Sequence, residues 1–257
     1  MDYFVVCLVA LLASSLTFFS GFGLGTLLLP AFAFFFPIDI AIALTAIVHL
    51  LNNIFKLYLV GRHADKKVVL RFGIPAILAA FVGAWLLLQL ADMQQVVRYT
   101  LFERVFEVTP VNMVIALLMV IFAIVEILPY FNRLSLSPRM LPAGGVLSGF
   151  FGGLSGHQGA LRSAFLIKCG LSKEGFIGTG VVIACLIDFS RLLVYSSHYA
   201  FTPSGESAIL LIAATLAAFV GAYLGNKLLN KITLGAVRVI VAIMLFLIAI
   251  GLGMGLI

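Results

Sequence analysis

Residues 152–159 read GGLSGHQG, and residues 20–25 read SGFGLG. These clusters lie inside apolar stretches at 142–170 and 4–36. Each stretch is longer than the roughly 20 residues that one membrane-spanning helix needs. Glycine costs about 1 kcal/mol relative to alanine inside a helix, so a cluster of glycines favours a helix break. The sequence therefore predicts two glycine-broken segments, each a re-entrant helical hairpin that returns to the side from which it enters.

The composition places the rest of the chain in the membrane as well. Of the 257 residues, 63% are hydrophobic and only 10% are charged, and the mean hydropathy is +1.21. This is too little charged surface for a soluble domain. We expect an all-α polytopic membrane protein whose first segment is retained, because it lacks the pattern of a cleaved signal peptide. The other predicted transmembrane helices are 38–60, 72–90, 110–130, 175–197, 206–226 and 233–257.

The two halves of the chain resemble each other. Residues 79–85 read AAFVGAW and residues 217–223 read AAFVGAY, an offset of 138. The pair Ser-Gly at 20–21 recurs at 155–156, an offset of 135. Each half thus contains one broken segment followed by three helices. The predicted repeats are 1–133 and 134–257.

Basic residues in the loops predict how the repeats are oriented. In the hairpin model ten of them share one face and two lie on the other, whereas single crossings would divide them six to six. Lysine and arginine are enriched in cytoplasmic loops, so the uneven arrangement is favoured, and the net charge of +6 reflects this bias rather than a nucleic-acid surface. The repeats are then inverted, and both termini lie on the non-cytoplasmic side of a bacterial inner membrane. The ten are Arg62, Lys66, Lys67, Arg71, Arg133, Arg139, Lys168, Lys173, Lys227 and Lys231, and the two are Arg98 and Arg104.

Residues 91–108, ADMQQVVRYTLFERVFEV, differ from the apolar stretches. At helical spacing their apolar side chains share one face, and the charged and amide side chains lie largely opposite. This pattern predicts an amphipathic helix on the outer surface, with an ordinary structured loop as the alternative.

A polar stripe follows one face of the helix that comes after the first hairpin. The spacing i, i+4, i+7, i+11 holds for Thr45, His49, Asn52 and Lys56, and Asn53 lies beside them. A charge at the bilayer centre costs at least about 2.5–3.5 kcal/mol, so such a stripe indicates a cavity lining. Two alternatives stay open. Lys56 can extend to the interface along its apolar stem, and His49 can be a hydrogen-bonded core residue.

The corresponding helix of the second repeat carries charges at matching positions. Asn53 corresponds to Asp188 and Lys56 to Arg191, at the offset of 135. Arg191 lies deeper than Lys56, so we expect one substrate-binding cation from each repeat. Asp188 acts either in coupling or as the structural partner that neutralises Arg191 three residues away.

The residues at the glycine breaks complete the predicted substrate site. Arg162 follows the second break and lies deep in the membrane, where a charge calls for a functional role or a partner. Helices that restart at the breaks point free N–H groups and positive dipole ends into the membrane, which favours an anion. Broken helices meeting at this depth are typical of transporters. The breaks contribute Gly25, Thr26, His157, Gln158, Gly159, Arg162 and Ser163 to the predicted site.

With these segments the chain resembles the sulfite exporter TauE/SafE family. The resemblance rests on SGFGLGTLLLPAFAFFFPIDIAIALTA at 20–46 and on the glycine-rich run at 144–188, and it extends over nearly the whole chain. It implies transport, commonly export, of sulfite, sulfonates or related organic anions. The chain departs from the family's usual second glycine run at His157, Gln158 and Arg162.

The sequence thus predicts a secondary transporter of a small anion that works by alternating access and needs no cofactor or metal. An anion channel and an assembly subunit of a membrane enzyme complex remain alternatives. No metal-ligand spacing, phosphate loop or catalytic triad supports an enzyme. Protons are a candidate coupling ion, because an imidazole titrates near neutral pH. On the alternative interpretation, His49 and His157 only form hydrogen bonds.

Overall fold

The computed structural model describes residues 2–17, 23–94, 96–101, 104–128, 136–198, 206–228 and 234–256. This part of the chain forms ten α-helices, one β-hairpin and two short 3-10 turns at Gly61–His63 and Pro138–Met140. The helices are α1 Asp2–Thr17, α2 Leu24–Ala33, α3 Ile38–Val60, α4 Lys66–Ala91, α5 Pro110–Ile127, α6 Leu141–Ser155, α7 Gly159–Leu166, α8 Lys173–His198, α9 Glu206–Leu228 and α10 Leu234–Gly253. The strands are β1 Val97–Leu101 and β2 Arg104–Val108.

The long helices identify a multi-pass membrane protein. Among the described residues, five helices are long and apolar enough to cross a bilayer, namely α3, α4, α5, α8 and the core of α9. The helix predicted at 72–90 begins earlier, at Lys66, because Asp65 caps it by accepting a hydrogen bond from Val68 N at 2.9 Å. Its first turns are basic, which excluded them from the apolar stretch.

The prediction of an amphipathic helix at 91–108 is wrong. After α4 ends, the segment forms the antiparallel pair β1–β2. Tyr99 stacks on Phe106 with ring centroids 5.2 Å apart, and Arg98 forms a 2.8 Å ion pair with Glu107 on the neighbouring cross-strand pair. β-Branched and aromatic residues favour strands, and such cross-strand pairs stabilise them. The apolar residues therefore fit both the helical spacing and the alternation of a strand. The pairing of β1 with β2 favours the strands over the helix.

The second glycine cluster breaks a helix as its composition predicts. Helix α6 ends at Gly156, whose φ of +80° lies in the left-handed region that favours glycine. Helix α7 begins three residues later at Gly159. In the first half, α2 starts directly after Gly23, at φ +109°. The rest of that predicted break, at 18–22, lies outside the described residues.

The start of α6 and the end of α7 lie at the same end of the bundle. Leu136 N, just before α6, donates to Ala164 O in α7 at 3.3 Å. The ring of Phe165 occupies the space where a side chain on Gly144 would lie. Phe165 also belongs to an apolar cluster with Val68, near the start of α4.

The β-hairpin lies at the opposite end of the bundle. Tyr99 Oη donates to Met254 O, beyond the end of α10, at 2.7 Å. His198 at the end of α8 lies 3.2 Å from Asp92, just after α4. This hairpin contains Arg98 and Arg104, the two basic residues predicted to lie on the face opposite the other ten loop lysines and arginines.

Glycines allow two pairs of helices to pack with their backbones in contact. Gly145, Gly149 and Gly153 of α6 face the α4 backbone so closely that a Cβ on any of them would overlap a carbonyl oxygen. Small residues at four-residue spacing are the usual means of close packing between membrane helices. Gly83 of α4 contacts the α6 backbone in the same manner, and Gly221 of α9 contacts the α1 backbone.

We expect Gly149→Ala to destabilise the protein by about 1–3 kcal/mol, the usual cost of overpacking, because the overlapped atoms are backbone atoms of Ala76. Thermal unfolding in detergent measures the effect. Gly253→Ala is the matched control, since its Cβ would lie an ordinary 3.9 Å from Ala116 Cβ. Equal melting temperatures for the two variants would contradict the packing described for α4 and α6.

Candidate functional site

Asp188 is the centre of a buried hydrogen-bond network. Its side chain is fully buried in α8. Oδ2 lies 2.6 Å from His49 Nδ1 on α3. Oδ1 accepts hydrogen bonds from Gln158 Nε2 at 2.8 Å and from Arg191 Nη2 and Nε at 2.8 and 3.1 Å. One carboxylate thus connects α3, the second helix break and α8.

Arg191 also holds the end of α6. Its Nη1 donates to Gly152 O at 3.3 Å, and Tyr195 Oη donates to Gly153 O. These carbonyls belong to the last turn of α6, the negative end of the helix dipole, where a cation is stabilising. Gly152 O also accepts from Gly156 N at 3.1 Å. Gly156 leaves room for the guanidinium, because a Cβ there would lie 3.0 Å from Nη1. Each of the three side-chain nitrogens of Arg191 therefore donates to a protein oxygen, although the sequence predicted Arg191 to bind substrate.

Arg162 reaches the network through Gln158. Its Nη1 donates to Gln158 Oε1 at 3.1 Å, so the amide of Gln158 links the guanidinium to Asp188. The backbone of Gln158 is held as well, since Ser148 Oγ donates to its carbonyl at 2.8 Å. Gly180 on α8 lies beside this guanidinium, and a Cβ there would make an ordinary contact at 3.5 Å with Arg162 Nε. Arg162 is 3% exposed, so its charge is held inside the protein.

The polar stripe on α3 faces this network. Asn53 Nδ2 lies 3.1 Å from His49 Nδ1 and 3.4 Å from Nε2. Because Nδ1 donates to the Asp188 carboxylate, Nε2 is the nitrogen that can accept from Asn53. Lys56, one turn after Asn53, is buried as well, and its charge interacts with that of Arg162. The hydrogen-bond partners around Asn52 determine the orientation of its amide, in which the nitrogen donates to Ala218 O and the oxygen accepts from Lys56 Nζ at 3.3 Å.

His157 is clamped beside the network. Its ring stacks on Phe122 of α5 with centroids 4.8 Å apart and planes 8° apart. Nδ1 lies 3.1 Å from Ser155 Oγ. Two buried side-chain atoms lack a hydrogen-bond partner among the described residues, His157 Nε2 and Thr45 Oγ1.

The two helix breaks meet at His49. A Cβ on Gly25, at the start of α2, would lie 3.6 Å from His49 Cδ2 and 3.9 Å from Gly156 O. The other predicted residues at the breaks contribute less. Thr26, Gly159 and Ser163 are half-buried, and the described contacts give them no side-chain hydrogen bond to the network.

Three residues of the site were not predicted. Tyr195 follows Arg191 by one turn, so helical spacing could have identified it. Ser148 and Ser14 are single hydroxyls in glycine-rich or apolar runs, where the sequence gives no signal. Ser14 Oγ lies 3.2 Å from the Asn52 amide and brings α1 to the polar stripe. Within the described part of the chain, no group of acidic, histidine and cysteine side chains could hold a metal ion.

A helix break beside the start of α2, at a buried, cation-rich network inside a multi-pass helical protein, is typical of membrane transporters. The model of one family, Sulfite exporter TauE/SafE, matches residues 6–252. The chain belongs to this family, which confirms the resemblance found in the sequence, and it is a transporter rather than an enzyme. No curated protein and no solved structure matches the chain.

We expect Asp188→Asn and Arg191→Gln each to lower the free energy of unfolding by about 3–5 kcal/mol, because each leaves a buried charged group without its partner. The double variant should lose less than the sum of the two single losses, since it removes both charges together. Denaturation by SDS, followed by intrinsic fluorescence, measures all three variants.

The exposed pair Arg98–Glu107 is the matched control for this cycle. Its side chains are 69% and 51% exposed and 2.8 Å apart, so removing either charge should cost no more than about 1 kcal/mol. Additive losses at Asp188 and Arg191, or losses as small as those of the control, would show that the buried pair is not coupled.

Proposed function

We propose that the protein is a secondary transporter, working as an exporter, of a small sulfur-containing or organic anion such as sulfite or a sulfonate. Transport proceeds by alternating access around the Asp188 network. The observation that carries this proposal is the position of Asp188. Its carboxylate binds His49 from the first half and Gln158 and Arg191 from the second, at the point where the helix breaks meet.

The charge of the network supports an anionic substrate. Lys56, Arg162 and Arg191 give +3 and Asp188 gives −1, so the four side chains sum to +2 when ionised. Arg191 directs all three of its nitrogens at Asp188 and Gly152 O. We assign the substrate to Lys56 and Arg162, two buried cations whose charges repel each other and would be stabilised by an anion. A dianion placed between them neutralises the excess charge. An organic monoanion leaves one positive charge to be balanced.

We further propose that the halves are inverted repeats that move against each other. The packing between the halves supports this arrangement, because each half places a glycine against the first helix of the other half's broken segment. Gly83 of the first half contacts α6, and Gly221 of the second half contacts α1. These glycines occupy the same place in the two related AAFVGA sequences. The loop charges favour termini on the non-cytoplasmic side of a bacterial inner membrane.

Protons are the proposed coupling ion, and we assign coupling to His49. Its ring bridges the halves through Asp188, and histidine is the side chain that most often carries protons at physiological pH. His157 contacts no carboxylate among the described hydrogen bonds and ion pairs, so we give it a different role. Substrate and proton affinities are then linked reciprocally through Asp188.

We expect Arg162→Gln to reduce sulfite flux into proteoliposomes by about ten- to a hundredfold, because a charged hydrogen-bond donor contributes about 1.5–3 kcal/mol. Flux is measured with labelled sulfite, and a luminal pH dye reports proton movement. His49→Gln should retain substrate binding but lose the proton signal. Sulfite on the far side should accelerate the wild-type flux, as a carrier requires.

Arg139→Gln is the matched control, because Arg139 is an exposed arginine in the 3-10 turn before α6. Its flux should equal that of the wild type. Normal flux by folded Arg162→Gln would remove this residue from the site. Flux without acceleration from the far side would indicate a channel. No flux of any tested anion would favour an assembly subunit.

A further inference from the structure

His157 presents a fixed hydrogen-bond acceptor that no protein group uses among the described residues. The side chain is 4% exposed, and Nε2 has no hydrogen-bond partner in this part of the chain. Leaving a buried polar atom unsatisfied costs about 1–3 kcal/mol, so such an atom calls for a partner. Thr45 Oγ1 is also unsatisfied, but a hydroxyl rotates and can donate or accept, so it does not define the partner's chemistry.

Hydrogen bonds around Ser155 determine which ring nitrogen carries the hydrogen. Ser155 Oγ donates its only hydrogen to Phe151 O at 3.1 Å. Toward His157 Nδ1, also at 3.1 Å, the hydroxyl can therefore only accept, so Nδ1 must be the donor. In the neutral ring Nε2 then has a lone pair and no hydrogen. A doubly protonated ring would place an unpaired charged donor in the same buried position, at a greater cost.

The orientation of this lone pair is fixed by packing. Phe122 covers one face of the imidazole in a nearly parallel stack. Phe151 packs edge-on against Phe122 with centroids 5.5 Å apart, and the same residue accepts the Ser155 hydrogen bond. His157 also precedes Gln158, whose amide binds Asp188. The acceptor is thus held rigidly, on the residue before the one that binds Asp188.

We infer that the transported anion carries a hydrogen-bond donor, an O–H or N–H group, which binds Nε2 of His157 while its oxyanion is held by the buried cations. This inference rests on the proposed function and narrows its substrate class. Protonated oxyanions, hydroxysulfonates and aminosulfonates satisfy it. Sulfonates with only alkyl substituents leave Nε2 unpaired, and the site should discriminate against them, since a missing partner for a buried polar group weakens binding.

Isethionate and 1-propanesulfonate are the probes, because they share charge and size and differ in a terminal hydroxyl or methyl group. Binding is measured by calorimetry on the full-length protein in nanodiscs, and flux of both is measured in proteoliposomes. We expect the wild type to bind isethionate about tenfold more tightly, the effect of one hydrogen bond to a buried group.

His157→Phe removes the acceptor and keeps a ring that can stack on Phe122. We expect isethionate and propanesulfonate to bind this variant with equal affinity, because the group that distinguishes them is gone. His157→Gln, which restores an acceptor oxygen, should recover part of the preference, and melting temperatures establish that both variants are folded.

Equal affinity of the two sulfonates for the wild type, or a preference that persists in His157→Phe, overturns the inference while the transport proposal stands. Absence of binding and flux for both sulfonates and for sulfite overturns the transport proposal as well.

Discussion

Asp188 is a carboxylate buried in the middle of a membrane-spanning helix, and its need for partners organises the structure around it. An isolated charge in this environment is strongly unfavourable, so it must be paired and hydrogen-bonded. His49, Gln158 and Arg191 meet this need from three different elements. Because His49 belongs to one half of the chain and Gln158 and Arg191 to the other, the same interactions that make the charge tolerable also hold the halves together.

Glycine packing positions the helix break that the network requires. Gly145, Gly149 and Gly153 bring α6 against α4, and this contact fixes where the last carbonyls of α6 lie. Arg191 can then reach Gly152 O and Asp188 at once. The close packing of α6 on α4, the end of α6 and the pairing of the buried charges therefore depend on one another. The glycines allow the helices to approach, and the charged side chains occupy the space at the end of α6.

Most residues of the buried network could be predicted from the sequence, because repeat symmetry and helical spacing bring them together. Lys56 and Arg191 were found as matched positions, and Arg162 by its depth in an apolar stretch. The sequence could not predict that Arg191 binds the α6 carbonyls, since that contact depends on how two distant helices pack. It misidentified 91–108 because apolar residues there satisfy both helix and strand periods, and only the pairing of β1 with β2 distinguishes them.

The central claim is that an anion binds at Lys56 and Arg162, beside the Asp188 network. An anomalous difference map from crystals grown with 3-bromo-2-hydroxypropane-1-sulfonate tests it most directly, because bromine marks the ligand unambiguously and the hydroxyl supplies the donor inferred for the substrate. We expect a bromine peak next to the network, with the sulfonate within hydrogen-bond distance of Arg162. A peak found only elsewhere, for example in the cavity of about 500 Å³ lined by Phe34, Phe36 and Asn112, would contradict it.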